Sequence, residues 1–333
     1  MRKAFLMVAA AAAMLATGFT ACKSNPPQPP KYINIYVAGY DNSGKNAVAK
    51  VWRNGKEFYR LTDGFKAAVA YSVFVVGLDV YTVGFESNGS NNVAKVWKND
   101  RELYALTDGS KDAEARSIFV ADDKVYTVGY ESNIAKLWKN KSATDLTDGS
   151  HYAQAKSVFV AGSNVYTAGE DGNVVKVWKK GSELYTLTDG SNYAKACSVF
   201  KIGEDVYTAG YESSGTKYVA KVWKNGKVLY ELTDDSKDVY ARSVYVVGED
   251  VYVAGNEGKA AKVWKNGEEL YELTDKGEVF SIVVYNGNVY VAGKENEGSY
   301  HTAKVWKNGE ELYELADKSE AYSIFIAETE YRY

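Results

Sequence analysis

The sequence is poor in the residues that cross-link chains, ligate metals and carry out catalysis. Of its 333 residues, two are cysteine and two are histidine. Cys22 lies ahead of the repeats, so Cys197 has no partner for a disulfide within the body of the chain. His151 and His301 fall in predicted loops of different kinds, outside any spaced metal motif such as H-E-x-x-H, and no G-x-S-x-G, P-loop or G-x-G-x-x-G pattern occurs. We therefore expect no metal, no cofactor and no enzyme.

An excess of positive charge and long apolar runs are also missing. The chain has 40 Lys and Arg against 43 Asp and Glu, a net charge of −3. Binding to nucleic acid needs a basic surface, so we exclude nucleic acid as a partner. The longest apolar run, residues 4–16, has about 13 residues and is too short for a membrane-spanning helix. Because it follows Arg2 and Lys3, this run is typical of a secretory signal peptide.

The end of this leader resembles a bacterial lipoprotein box, in which the signal is removed just before a cysteine that then carries lipid. The box is "GFTAC" at residues 18–22. The resemblance implies a signal peptide at residues 1–21 and lipidation of Cys22, although Phe19 stands where such boxes usually carry an aliphatic residue. Ordinary cleavage after Ala21 is the alternative, but it favours a small residue at the Phe19 position and fits less well.

Proline is confined to one place. All four prolines lie between residues 26 and 30, in "SNPPQPP". Such a segment is a semi-rigid spacer of roughly 3 Å per residue, so we interpret residues 22–31 as a tether between a lipid anchor and a globular body. The expected location is the bacterial cell envelope, anchored to a membrane such as the outer membrane, with the periplasmic and surface sides both open.

What the sequence has in abundance is repetition. "AKVWKNGEELYEL" stands at residues 261–273 and again at 303–315, and looser copies bring the total to seven. Each copy carries one tryptophan, and these are spaced 40 to 45 residues apart: Trp52, Trp97, Trp138, Trp178, Trp223, Trp264 and Trp306. One unit, residues 68–108, divides into four short segments rich in Val, Tyr, Phe, Trp and Thr between turn residues, which predicts four antiparallel strands, a to d. The fold class is therefore all-β, a seven-bladed β-propeller of four-stranded blades.

The two ends of the repeat array favour a closed ring over an open solenoid. The body begins at residues 32–40, which align with strand b, and it ends at residues 321–328, which align with strand a. One blade must then combine the C-terminal strand a with the N-terminal strands b, c and d, over a propeller domain of residues 32–333. A solenoid would need polar caps, and we see none. Residues 331–333, "YRY", also resemble the start of a strand b, so two segments compete for the closing position.

The repeat resembles the β-propellers in general and the β-propeller lipoproteins of bacterial envelopes in particular, over about 300 of the residues. It lacks the Gly-His and Trp-Asp pairs of WD40 repeats and the paired glycines of kelch repeats. The resemblance therefore implies the architecture and no particular ligand.

Residues shared by all seven copies are interpreted as structural. Strand c carries a Lys two residues before each Trp, and strand b carries an acid two residues after its Gly, so we predict Lys–acid pairs across each hairpin rather than a ring of metal ligands. The tryptophans are predicted to be buried between blades. The Asp that ends strand d is predicted to form a turn, and the Ser of strand a is given a structural role as well.

Positions at which the copies differ are the candidate site. The residue before the strand a Ser is expected at the mouth of the central channel. Around the ring these residues are Tyr71, Arg116, Lys156, Cys197, Arg242, Phe280 and Tyr322. One arc is aromatic and the other largely cationic, and the loops before Phe280 and Tyr322 are three residues shorter than the rest. We predict ligand contacts at these positions except Cys197, interpreted as a small filler, and secondary contacts at His151 and Tyr152.

The function predicted from these features is a non-catalytic, lipid-anchored binding module. Its ligand would be an acidic glycan or a carboxylate-bearing peptide, because such molecules combine a stacking face with negative charge. An assembly scaffold for outer-membrane protein complexes is the alternative, with an envelope protein as partner, and a glycan-active enzyme is a weaker one. The protein is expected to be a monomer.

Overall fold

The computed structural model describes residues 32–232 and 236–329, and these form a seven-bladed β-propeller. Its 28 strands make seven sheets, each of four antiparallel strands, as predicted. The signal peptide (1–21), Cys22, the tether up to residue 31 and residues 331–333 lie outside the described residues. Within the described ranges, no helix is long and apolar enough to span a membrane.

The strands follow the chain blade by blade, with strand a innermost. Blade 1 consists of β28 (Ser319–Thr329), β1 (Tyr32–Asp41), β2 (Val48–Arg53) and β3 (Lys56–Arg60). Blade 2 consists of β4 (Ala68–Val76), β5 (Asp79–Ser87), β6 (Asn92–Lys98) and β7 (Arg101–Ala105). Blade 3 consists of β8 (Ala113–Ala121), β9 (Lys124–Glu131), β10 (Ile134–Lys139) and β11 (Ser142–Asp145). Blade 4 consists of β12 (Ala153–Ala161), β13 (Asn164–Asp171), β14 (Val174–Lys179) and β15 (Ser182–Thr186).

The remaining three blades repeat this order. Blade 5 consists of β16 (Ala194–Ile202), β17 (Asp205–Ser213), β18 (Tyr218–Lys224) and β19 (Lys227–Leu232). Blade 6 consists of β20 (Val239–Val247), β21 (Asp250–Glu257), β22 (Ala260–Lys265) and β23 (Glu268–Thr274). Blade 7 consists of β24 (Gly277–Tyr285), β25 (Asn288–Glu297), β26 (Tyr300–Lys307) and β27 (Glu310–Asp317).

The ring closes through blade 1, where the two ends of the chain share one sheet. The C-terminal β28 pairs antiparallel with β1, from Tyr32 opposite Thr329 to Asp41 opposite Ser319. The predicted closure is confirmed, and residues 32–41 are the segment that supplies strand b of this blade. Blades 7, 1 and 2 are therefore consecutive neighbours.

The tryptophans are buried between neighbouring blades, as predicted. All seven are between 1% and 6% exposed. Trp264 of blade 6, for example, packs in one cluster with Val222 and Leu232 of blade 5 and with Val244 of its own blade. A buried Trp removes about 150–250 Å² from water, which stabilises the fold by roughly 4–6 kcal/mol as an upper estimate.

The predicted Lys–acid pairs form in every blade. They are Lys50–Asp41, Lys95–Glu86, Lys136–Glu131, Lys176–Asp171, Lys221–Glu212, Lys262–Glu257 and Lys304–Glu295, with N–O distances of 2.6–3.3 Å. A second acid, from strand d, also contacts each lysine, as Glu57 does Lys50 at 2.5 Å. The acids of strand b thus serve as hairpin partners, and the described residues hold no cluster of three or more His, Cys, Asp or Glu arranged for a metal.

The serines of strand a connect each blade to the next. The hydroxyl of Ser72 accepts a hydrogen bond from the backbone N–H of Ile118 in blade 3, at 3.3 Å. The same bond recurs at all seven interfaces, with distances of 3.0–3.3 Å, and includes Ser323 to Val73 across the closure. The structural role predicted for these serines is confirmed.

The Asp residues at the end of strand d do not all form the predicted turn. Asp234 lies outside the described residues, and next to Asp275 the backbone N–H of Lys276 donates to the Thr274 hydroxyl instead, at 3.3 Å. Asp63, Asp108, Asp148 and Asp189 each accept the backbone N–H two residues further on, at 2.8–2.9 Å, which confirms the predicted turn. Asp317 instead belongs to β27 and accepts the Thr302 hydroxyl at 3.0 Å. There the loop is too short for the turn, because a single residue separates β27 from β28.

Candidate functional site

A single cavity at one end of the channel brings the predicted ligand contacts together. Its volume is about 370 Å³, and the residue before each strand a Ser lines it in all seven blades, together with the Ser itself. The predicted contacts there are Tyr71, Arg116, Lys156, Arg242, Phe280 and Tyr322. Lys195 and Tyr211 line it too, and were not predicted from the sequence. We call this cavity the mouth.

The seven residues that precede the strand a serines, which we call the rim residues, owe their positions to a β-bulge. In blade 2, Ala70 pairs with Gly84 and Ser72 pairs with Val83, so Tyr71 is the extra residue of strand a. The same register shift occurs at this position in every blade. A bulge of this kind bends a strand and redirects a side chain, which turns the variable residue towards the channel.

The glycine of strand b makes room for the bulge. A Cβ atom on Gly84 would lie 1.8 Å from the carbonyl oxygen of Val69, on the adjoining strand a. Equivalent distances in the other six blades are 1.9–2.1 Å. Glycine is required here by the close approach of the two backbones, since the φ angle at Gly84 is not in the left-handed region.

The aromatic arc is continuous. The ring centroids of Phe280 and Tyr322 are 4.9 Å apart, and those of Tyr322 and Tyr71 are 5.1 Å apart. Tyr40 extends the arc, with its ring 6.0 Å from Tyr322. Burial raises the pKa of Tyr71 and of Tyr322, and the carboxylate of Glu320 adds to the rise at Tyr322. Both phenols therefore stay neutral, and the arc presents stacking surface and hydroxyl groups without charge.

The connections over this arc are short, as predicted. Two residues separate β23 from β24, and one separates β27 from β28, whereas seven residues separate β7 from β8. Phe280 and Tyr322 thus follow tight connections, while Arg116 follows a longer loop.

Nearby acids offset part of the positive charge of the cationic arc, and these acids were not predicted from the sequence. Arg116 stacks over the ring of Tyr71, at 4.2 Å, and pairs with Glu114 at 2.5 Å. Glu114 lies two residues before the rim position, which places it on the same face of the strand. This period of two is the signal that would have identified Glu114 from the sequence. The positive charge of Arg116 is largely neutralised within the protein.

Lys156 also has an acidic neighbour, at a greater distance. Its Nζ lies 3.8 Å from Oε1 of Glu170, which is 2% exposed and whose two carboxylate oxygens have no hydrogen-bond partner. Burial lowers the pKa of Lys156 to about 8; Glu170 opposes this change, and Arg116 and Lys195 add to it. Burial likewise raises the pKa of the Glu170 carboxyl. Lys156 therefore loses its proton, and Glu170 takes one up, more readily than the same groups do in water.

The two secondary residues differ in their relation to the mouth. Tyr152 hydrogen-bonds to Gln154, which in turn accepts from Nζ of Lys156, so Tyr152 is connected to the rim. The side chain of His151 is 68% exposed and contacts the hydroxyl of its neighbour Ser150. Of the two, only Tyr152 is linked to the cavity through described contacts.

The other histidine, His301, was predicted to lie in a loop, and this prediction is wrong. His301 belongs to β26, opposite Asn296 of β25. The extra residues of this hairpin extend both strands up to a tight turn at Gly298, where φ is 63°. The Nε2 atom of His301 lies 3.4 Å from the hydroxyl of Tyr40 and 3.5 Å from Glu320, behind the aromatic arc.

A belt of aromatic rings surrounds the channel beside the serines. It occupies the position two residues after each Ser and runs through Phe325, Phe74, Phe119, Phe159, Phe200 and Tyr245, with successive centroids 4.6–5.3 Å apart. Blade 7 carries Val283 at this position. The belt does not line the mouth, so an apolar layer borders the polar cavity.

Comparisons with known proteins agree with the fold and go no further. No protein-family model matches the chain, and no curated protein matches it. Among solved structures, the computationally designed protein Ika8 is 20% identical, with a TM-score of 0.52 over 86% of this chain and 90% of its own. The WD40 β-propeller domain of Doa1 is 19% identical, with a TM-score of 0.47 over 71% of this chain and 78% of its own. An ulvan lyase is 9% identical, with a TM-score of 0.45 over 74% of this chain and 82% of its own. At these identities the likeness concerns the fold alone.

Proposed function

We propose that this protein is a non-catalytic binding module of the bacterial cell envelope, held by a lipid on Cys22. Its ligand is an acidic glycan or a carboxylate-bearing peptide, bound at the mouth. The observation that carries the proposal is the composition of that cavity, in which three aromatic rings in tilted contact and four basic side chains line a volume of about 370 Å³. Ligand sites in proteins combine such surfaces, apolar for contact and polar for orientation, at volumes of roughly 300–1,000 Å³.

The binding role is tested by screening the purified full-length protein against uronate-bearing, sulfated and neutral glycans and against acidic peptides. For the ligand that binds best, Phe280→Ala should weaken affinity by about tenfold, because an aromatic contact contributes roughly 0.5–1.5 kcal/mol beyond its buried area. Titration calorimetry measures the change. Phe65→Ala is the matched control, since Phe65 is 83% exposed and does not line the mouth. Equal losses in both variants, or no binding at all, would contradict the proposal.

A glycan-active enzyme is the second candidate, and Lys156 with Glu170 is the observation that favours it. A lysine with a pKa of about 8 next to a buried carboxylate can accept a proton from a substrate near neutral pH. The same screen separates the two functions, because an enzyme releases shortened glycans and a binding module returns them intact. Recovery of envelope proteins with the propeller, without any glycan or peptide ligand, would instead support an assembly scaffold.

The lipid anchor has its own test. Cells expressing the full-length chain are labelled with a fatty-acid analogue and fractionated. Cys22→Ser should abolish the label and move the protein from the membrane fraction to the soluble fraction, because the anchor is the attachment proposed. Cys197→Ser should leave both unchanged. A Cys22→Ser protein that still carries the label would refute lipidation at that residue.

A further inference from the structure

The basic residues of the mouth are not equivalent, and their differences point to one position for the ligand's negative charge. Arg116 pairs with Glu114, and Lys156 lies beside Glu170. Arg242 and Lys195, in blades 6 and 5, have no carboxylate oxygen within 4.0 Å among the residues described. Glu278 of blade 7 is an acid close to Arg242, but it forms an ion pair with Lys294 at 3.3 Å. The positive charge of the mouth that lacks a directly paired carboxylate is therefore concentrated at Arg242 and at Lys195, although the more distant carboxylate of Glu170 also acts on Lys195.

Tyrosine rings hold these two cations in place. The guanidinium of Arg242 lies 5.1 Å from the ring centre of Tyr240 and 5.7 Å from that of Tyr211. The ammonium of Lys195 lies 5.5 Å from the ring centre of Tyr193. Contacts with aromatic faces orient a cation without cancelling its charge, whereas a carboxylate partner would cancel it. Both groups thus remain able to pair with an anion from outside.

The tyrosines around the cations form a cluster of their own, distinct from the aromatic arc. Tyr218 lies between Tyr193 and Tyr211, at centroid distances of 6.0 and 5.4 Å. Tyr240 contacts both Tyr211 and Tyr218, at 4.9 and 5.3 Å. Tyr193 is 41% exposed, so part of the cluster is open to a ligand. The aromatic arc predicted from the sequence lies at other rim positions, Phe280, Tyr322 and Tyr71.

The smallest side chain of the rim lies at this place. Cys197 occupies the rim position of blade 5, between Lys156 and Arg242, and its side chain is the smallest of the seven. Burial raises the pKa of its thiol, so it adds no negative charge that would repel an anion at neutral pH. A small neutral residue flanked by basic ones leaves room for an acidic group to enter.

We propose that Arg242 and Lys195 form a subsite for the carboxylate of a uronic acid residue, with the sugar ring against the tyrosine cluster. This inference rests on the proposed binding function and specifies its ligand. A guanidinium pairs well with a planar carboxylate, and Lys195 supplies a second positive charge. A pyranose ring carries apolar C–H faces and several hydroxyls, which match the faces and phenol groups that tyrosines present. An acidic peptide offers a carboxylate but no ring of this kind, so the glycan is the ligand that the cluster favours.

The test measures binding of three probes to the full-length protein: a glucuronate oligosaccharide, the same oligosaccharide with its carboxyl groups reduced to alcohols, and an acidic tripeptide. The glucuronate probe should bind at least tenfold more tightly than either of the others. Arg242→Gln and Lys195→Gln should each weaken it at least tenfold, and Arg242→Lys should recover part of the loss. The double variant Asp205→Asn/Lys224→Gln removes an ion pair of blade 5 that does not line the mouth, with its N and O atoms 2.8 Å apart, and should change affinity by less than about twofold.

The outcomes separate this subsite from the wider proposal. If the reduced oligosaccharide binds as well as the acid and Phe280→Ala still weakens it, the mouth binds glycans but the carboxylate subsite is wrong. If Arg116→Gln loses more affinity than Arg242→Gln, the carboxylate pairs with Arg116 and the subsite is again wrong. A loss in the double variant as large as that in Arg242→Gln would also overturn the subsite, because it would reflect net charge rather than a local contact. A preference for the tripeptide overturns the glycan assignment. Thermal unfolding of each variant checks its fold, and Lys195→Gln decides the question if Arg242→Gln does not fold.

Discussion

Replacing Trp264 with alanine is expected to lower the free energy of unfolding by about 3–5 kcal/mol. Trp264 is 6% exposed and packs against Val222, Leu232 and Val244 at the boundary between blades 5 and 6. Removing the indole loses its transfer free energy and leaves a cavity that flanking strands cannot fill, because each is held in a four-stranded sheet. Denaturant unfolding followed by tryptophan fluorescence and circular dichroism measures the change.

Phe65→Ala is the control for this substitution. It also removes a large aromatic side chain, but Phe65 is 83% exposed, so its loss should change stability by less than about 0.5 kcal/mol. A Trp264→Ala protein as stable as the Phe65→Ala protein would mean that the tryptophans do not form the contact between blades. The interpretation of the repeat as a scaffold would then fail.

The fold was predictable because the same requirements recur in every copy. Trp97 and Trp264 must be buried, and Lys50 and Lys304 must face acids, at equivalent positions of the repeat. Seven instances of one pattern leave little room for another interpretation, and the offset between the two termini specified the closure in blade 1. The rim positions followed from the same alignment of copies, as the places where the copies differ.

The charge balance of the mouth was not predictable to the same degree. Glu114 lies on a strand a and Glu170 on a strand b. Only the folded blades show that Glu114 lies 2.5 Å from Arg116, whereas Glu170 lies 3.8 Å from Lys156. These distances depend on side-chain conformation rather than on a repeated pattern. The tyrosine cluster was missed for a similar reason, because Tyr193, Tyr218 and Tyr240 come from a loop and from two blades.

The bulge was missed although its signal was present. A glycine stands in the middle of every strand b, and an isolated glycine within a strand indicates a bulge or a close approach of another backbone. This glycine precedes the acid of each Lys–acid pair by two residues, and the bulge beside it was not predicted. In the structure each glycine allows the close approach of strand a that the bulge requires, and the bulge carries the rim residue.

Gly84→Ala is therefore expected to destabilise the protein by about 3 kcal/mol or more, although it adds a single methyl group. The new Cβ would lie 1.8 Å from the carbonyl oxygen of Val69 and 2.9 Å from its carbonyl carbon. These are backbone atoms, so the clash cannot be relieved by a change of rotamer. Strand a of blade 2 must move away from β5, which displaces Tyr71 from its contact with Tyr322 at the rim.

Denaturant unfolding measures the loss, and binding of the best ligand from the screen measures the displacement. Gly44→Ala provides the matched control, since Gly44 lies in a loop without a left-handed φ and its nearest atom would be 4.0 Å from the added Cβ. This control should retain both the stability and the affinity of the parent protein. If Gly84→Ala does the same, the two strands do not approach as closely as the bulge requires. The position of the aromatic arc would then need another cause, because the extra residue at Tyr71 is what turns that ring into the mouth.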